Sequence, residues 1–270
     1  MIQNEIEQLF RHFNGLTWKN DIPVWQTFEI AKQEFEKLEK ECTYSRKFYR
    51  LVGQSGSGKT TQLLPATTKL VESIDERPIH FCVRRFSTLH PQYAKLANQC
   101  GSEIRERTNG FALQCLLVCL KMAIEGGCDI ILEMTFLTRE FEEYLLHWLD
   151  EKQYKKTFLC LAVNIDVSNS FIQKRMHDKD SAESGRVVQA SSTQFFFKQM
   201  KEGIGLIKEK CAGDRIIIWN AFDKECKYDG KVRNCLNVFE REQQQVKKPM
   251  VSKEELLNAK IEYLIHSNGN

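Results

Sequence analysis

Short apolar runs alternate with amphipathic stretches along most of the chain. The runs at 48–52 (FYRLV), 79–83 (IHFCV), 128–133 (CDIILE), 157–163 (TFLCLAV) and 215–219 (RIIIW) predict strands. Between them, 58–73, 110–125, 139–152, 166–178 and about 192–210 carry helical periodicity. Near-continuous apolar strands separated by amphipathic helices predict an α/β fold, a parallel sheet of about five strands covered on both faces. Pro65 is expected to kink or narrow the first of these helices.

The ends differ from this middle. Residues 1–45 are charged and helix-prone, with Phe28, Ala31, Phe35 and Leu38 at three-to-four spacing. From Asp223 to Lys248 the sequence turns polar and loses periodicity, so the core is expected to end near Ala221. Ser252 and Glu255 then stand at capping-box spacing before a last helix. The resulting division is a helical segment over 1–45, a core over 46–222, and a polar linker with a C-terminal helix over 223–270.

Composition narrows the class. With 39 basic and 36 acidic side chains the net charge is +3, without the basic excess of a dedicated nucleic-acid binder. Ten cysteines include no C-x-x-C pair; Cys115 and Cys119 fall in a helix-like run, and Cys82, Cys128 and Cys160 in or beside strand-like ones, as expected of buried thiols in a reducing compartment. The longest apolar run, from Phe111 to Leu120, is shorter than the ~20 residues that span a bilayer. The N-terminus carries acids and no apolar signal core. A cytoplasmic protein without membrane segments is expected.

Chemistry enters at "FYRLVGQSGSGKTTQLLPA", residues 48–66. Gly53, Gln54, Ser55, Gly56, Ser57, Gly58, Lys59 and Thr60 fit G-x-x-x-x-G-K-[ST], followed by Thr61. Glycines permit a tight loop whose successive N–H groups form a nest for phosphate oxygens, and the following helix N-terminus adds to the positive field. In such a loop Lys59 supplies a charge for the β- and γ-phosphates, and the Thr60 hydroxyl ligates Mg²⁺. The flanking apolar strand and amphipathic helix make a nucleoside-triphosphate site the reading of this segment.

Downstream residues separate the classes of phosphate-loop protein. A GTPase base reader of the N-K-x-D kind is missing, since 163–166 read Val-Asn-Ile-Asp. The strand at 130–133 ends in one acid, Glu133, rather than the Asp-Glu of a motor ATPase. Small-metabolite kinases carry an arginine-bearing lid, and here Arg175 and Arg186 bracket a polar, glycine-containing stretch. Such cations stabilise charge spreading over a transferring phosphoryl group.

These segments resemble the zeta toxin-like kinases, the toxins of toxin–antitoxin pairs. The resemblance rests on "GQSGSGKTT", on "FSTLHPQY" (86–93), on "IILEMT" (130–135) and on the "FIQKRM…GRVVQ" stretch, and covers about 46–220. It implies an adenylate-kinase-like core, ATP and Mg²⁺ as cofactors, an antitoxin as a partner, and phosphorylation of a small molecule such as UDP-N-acetylglucosamine. Lys59 and Thr60 would hold ATP and Mg²⁺, Glu133 would orient the substrate, and Arg175 and Arg186 would embrace the γ-phosphate. His90, with Pro91, would orient the loop after the second strand beside the substrate.

The chain departs from the family pattern at two places. In the D-x-F-x-x-x-H-P frame that should carry the general base, Arg84 stands where aspartate is required, and no carboxylate lies between Glu76 and Glu103. Arginine does not accept a proton near neutral pH. Leu137 replaces an arginine of the same family. Three readings remain open: a kinase for a different acceptor with Arg84 binding an anionic group, an ATP-binding interaction protein without transfer, or a base drawn from Asp178 or Asp180. A polynucleotide 5′-kinase is a further alternative on the same fold.

Overall fold

The computed structural model of the chain describes residues 20–100, 104–177, 190–246 and 251–267. A six-stranded sheet runs in the order β2-β3-β1-β4-β5-β6. Its strands are β1 Lys47–Val52, β2 Ile79–Cys82, β3 Ile130–Glu133, β4 Lys155–Ala162, β5 Arg215–Asn220 and β6 Tyr228–Lys231. The first five are parallel, and β6 pairs antiparallel to β5 at the edge.

Helices cover both faces, as near-continuous apolar strands require. They are α1 Val24–Glu39, α2 Leu64–Ser73, α3 Val83–Ser87, α4 Tyr93–Cys100, α5 Ile104–Gly126, α6 Arg139–Glu151, α7 Ile165–His177, α8 Ala190–Lys210, α9 Leu236–Gln244 and α10 Lys253–Ser267. On one face Tyr49, Leu51, Ile131, Leu159 and Trp219 pack with Leu63, Leu70 and Leu264, under α2 and α10. On the other, Phe48, Phe81 and Leu132 meet α1 and α5, while Phe158, Cys160 and Ile218 meet α8 and α9. By length and composition α5 passes for a membrane span, but its residues from Phe111 to Leu120, Gln114 excepted, are buried within this core.

Local chemistry explains several boundaries. Ahead of Pro65 the chain widens into a π-turn, Lys59–Leu63, with Leu64 N donating to Lys59 O. In place of the narrowing expected at Pro65 the chain widens just before it, and Pro65 itself sits in the first turn of α2, where its missing N–H costs little. Ser252 and Glu255 form the expected reciprocal cap: Ser252 N donates to Glu255 Oε2 at 2.9 Å and Glu255 N to Ser252 Oγ at 3.1 Å.

The polar stretch after Asp223 is more structured than its lost periodicity implies. It holds β6 and α9, and Val232, Cys235 and Phe239 are buried against α8 and β4–β5. Packing therefore continues beyond Ala221.

One ion pair is buried in the centre of the sheet. Arg50, on β1, meets Glu142 of α6 at 3.0 Å, and both side chains are at most 6 % exposed. Burial pushes the guanidinium down and the carboxyl up, each opposed by attraction to the other. Glu142 Oε1 also accepts from Leu137 N at 3.0 Å, so the residue at the missing family arginine is a buried part of this corner.

Candidate functional site

The site forms at the carboxyl ends of β1, β2 and β3, where a parallel sheet directs its loops. The phosphate loop leaves β1 at Gly53. Gly56 and Gly58 take φ of +78° and +99°, a left-handed backbone in which a side chain is strained. Gly56 also lies so close to α7 that a Cβ would come within 2.7 Å of Ser168 O. Gln54 anchors the loop from below, its Nε2 donating to Val163 O at 2.6 Å and Ser168 Oγ at 2.9 Å.

Inside this curl Lys59 Nζ donates to Gly53 O at 2.5 Å and Gln54 O at 3.0 Å. Ser57 Oγ is buried with no hydrogen-bond partner among the described residues. A buried hydroxyl beside a lysine and two left-handed glycines fits a phosphate-holding loop, because an anion would satisfy the orphaned group.

Thr60 donates its hydroxyl to Glu133 Oε1, joining the loop to the end of β3. The other carboxylate oxygen of Glu133 lies 3.1 Å from His80 Nε2. Burial on its own would raise the Glu133 carboxyl. Hydrogen bonds from His80 and Thr60, with the charges of His80 and Lys59, outweigh it and hold the carboxyl below its ordinary range. Glu133 is thus an ionised carboxylate, 8 % exposed, in contact with the Thr60 hydroxyl.

The remaining residues predicted from sequence fall in different places. Ser55 lies in the loop and Thr61 in the π-turn behind it. Arg84 is on α3, directly after β2, and is exposed. Its neighbour Arg85 turns away to Glu34 at 3.2 Å. His90 has a fully buried side chain: Nε2 lies 3.2 Å from Asp21 Oδ1, Nδ1 accepts from Gln92 N, and the ring meets Phe111 edge-on. Both ring nitrogens are engaged within the protein, so its geometry is that of a loop anchor rather than of an exposed substrate contact. The backbone of Arg175 belongs to α7, but its side chain lies outside the described residues, as do Arg186, Asp178 and Asp180.

Sequence reasoning passed over His80. It stands two residues before Cys82 on β2, so the two share a face, and Cys82 is in register with Glu133 on β3. The H-x-C spacing on a strand was the available signal.

A phosphate loop after β1 of a sheet ordered 2-3-1-4-5 defines a P-loop kinase fold. The family model for Zeta toxin matches residues 31–233, so the chain belongs to the Zeta toxin family of kinase-type toxins. In fold it is similar to the structure of the PezAT chromosomal toxin–antitoxin system of Streptococcus pneumoniae, with a TM-score of 0.65 at 18 % identity over 92 % of this chain and 98 % of that one. It is also similar to the AvrRxo1-ORF1:AvrRxo1-ORF2 complex with sulphate ions, with a TM-score of 0.53 at 8 % identity over 87 % and 84 % of the two chains. No curated protein sequence matches the chain.

Proposed function

We propose that the chain is an ATP- and Mg²⁺-dependent kinase that phosphorylates a hydroxyl of a small metabolite, such as a UDP-N-acetylsugar or a dinucleotide. The observation that carries this reading is the contact of Thr60 with the ionised Glu133 at the mouth of the phosphate loop. Bound as its Mg²⁺ complex, ATP supplies the transferable γ-phosphoryl group. The N–H groups of 53–60 and the Lys59 ammonium bind and orient the phosphates, and the Thr60 hydroxyl is a ligand for the magnesium.

Glu133 orients the acceptor hydroxyl and takes its proton. Loose phosphoryl-transfer transition states ask little of a base, so the absence of an aspartate at Arg84 does not remove the chemistry. Arg84, exposed beside the site, binds an anionic group of the acceptor, which is how an arginine in place of a base becomes useful. Arg175 and Arg186 are assigned to the γ-phosphate by sequence pattern. An antitoxin is the proposed protein partner, in keeping with the toxin–antitoxin system to which the PezAT structure belongs.

A second reading, an ATP-binding interaction protein without transfer, is favoured by Arg84 alone. Incubation with γ-labelled ATP and a metabolite extract separates the two. A labelled small molecule that disappears with Lys59→Ala supports the kinase. ATP binding that depends on Lys59, without any labelled product, supports the interaction protein. A labelled polynucleotide end with steep salt dependence would instead move the acceptor to nucleic acid.

A further inference from the structure

The second oxygen of Glu133 faces two side chains, His80 and Cys82, to which the proposed phosphoryl transfer gives no part. A ring nitrogen of His80, the Cys82 thiol and a Glu133 oxygen all lie within 4.8 Å of one another, the one such mixed group among the described residues. Parallel pairing of β2 with β3 creates it: Cys82 stands opposite Glu133, and His80 stands two residues back on the same face. Across the carboxylate, Thr60 holds Oε1, which fixes the orientation in which Oε2 faces the imidazole.

We infer that His80, Cys82 and Glu133 form a binding site for a borderline-soft divalent cation of the zinc class. The donor set is one imidazole, one thiolate and one carboxylate, which selects zinc-like ions over magnesium or calcium. Three protein ligands leave a fourth tetrahedral position for water or a ligand, as in open zinc sites. His80 is 28 % exposed, so the cluster is reachable from solvent. Coordination replaces the Cys82 S–H bond by a sulfur–metal bond and releases that proton to solvent, with no change of oxidation state.

The consequence is regulatory. Glu133 drawn toward His80 and Cys82 is withdrawn from the acceptor hydroxyl, so zinc inhibits transfer. This second part rests on the kinase reading above, whereas metal binding does not.

Cobalt(II) titrated into the reduced full chain without nucleotide tests the site directly. The expected result is a stoichiometric thiolate-to-cobalt absorption band that zinc abolishes and that Cys82→Ser removes. His80→Ala keeps the thiol and is expected to weaken cobalt affinity by about tenfold or more, at least the loss seen on removing a supporting residue of a metal site. The other nine cysteines are the background, so a band of unchanged intensity in Cys82→Ser overturns the proposal, as does its absence from the parent chain. If Cys82→Ser does not fold by circular dichroism, the His80→Ala titration decides, and unchanged affinity there overturns it. Where labelled product is available, micromolar zinc inhibits the parent chain and not Cys82→Ser. Equal inhibition of both overturns the regulatory part, while a cobalt band without any kinase activity leaves the site standing and sinks only the kinase reading.

Discussion

Thr60 donates its hydroxyl to Glu133 across 73 residues of sequence, and this bond ties the phosphate loop to the end of the neighbouring strand. Glu133 ends β3, and Thr60 stands in the π-turn that follows the loop leaving β1, the hydrogen-bonded neighbour of β3. The carboxylate is therefore held beside the phosphate loop by the pairing of β1 with β3 and by this one side-chain bond.

Replacing this carboxylate by its amide tests what it does. Glu133→Gln keeps the size and most hydrogen bonds but cannot take a proton or stay charged. The expected outcome is a fall in kcat of about 10²- to 10⁴-fold with ATP binding retained, the range of a lost general base. Isothermal titration with ATP and a labelled-product assay read the two quantities. Unaltered kcat would remove Glu133 from the chemistry.

The Arg50–Glu142 pair is expected to be costly to break and cheap to delete. Glu142→Ala leaves the buried guanidinium uncompensated and should destabilise the chain by about 3–5 kcal/mol. Replacing both, as Arg50→Met with Glu142→Leu, should recover most of that loss, because the two desolvation penalties vanish together. Urea denaturation measures it. A single-variant loss under about 1 kcal/mol would contradict burial of the pair.

Gly203 has a packing reason to be glycine. A Cβ there would overlap the ring of Phe136, which is buried and held under Arg50 at 5.6 Å. Gly203→Ala is expected to cost about 1–3 kcal/mol by overpacking. Gly205, two residues on with open space around it, is the control, and Gly205→Ala in the same helix should stabilise slightly. Thermal unfolding of the two variants should move in opposite directions.

Lys260 predicts a pH dependence of stability. Its ammonium is buried on α10, donating to Asp223 O at 3.1 Å, and burial lowers its pKa from 10.5 to about 8. The folded value lies below the unfolded one, so the unfolded chain binds more protons between pH 8 and 10.5. Stability contributed by this residue therefore rises with pH across that window, by at most about 3 kcal/mol. Lys260→Met should flatten the rise and stabilise the chain at pH 7. Denaturation curves at pH 7 and 10 that differ equally in both proteins would refute it.

Much of the fold was legible because the physics that made it is local. Apolar runs such as FYRLV and RIIIW have one stable environment, a sheet covered on both sides, and the sequence placed them within a few residues of β1 and β5. The Ser252–Glu255 cap was equally plain, since it is made by residues three apart. β6 was not. Tyr228–Lys231 is polar and half-exposed, and only the free edge of β5 makes it a strand. α9 escaped notice because its buried Phe239 stands among charged residues.

By itself the sequence determined the class of protein: the G-x-x-x-x-G-K-T loop, its flanking strand and helix, and the strand–helix rhythm are all short-range properties. It also exposed the departure at Arg84. The sheet order, which decides who meets whom, came only with the tertiary structure. β3 inserts between β1 and β2, so Glu133 meets Thr60 on one side and His80 on the other, with Cys82 nearby. Burial likewise made His90 a packed anchor while leaving Arg84 exposed. Such contacts depend on parallel register between strands distant in the chain, and no local pattern encodes that register.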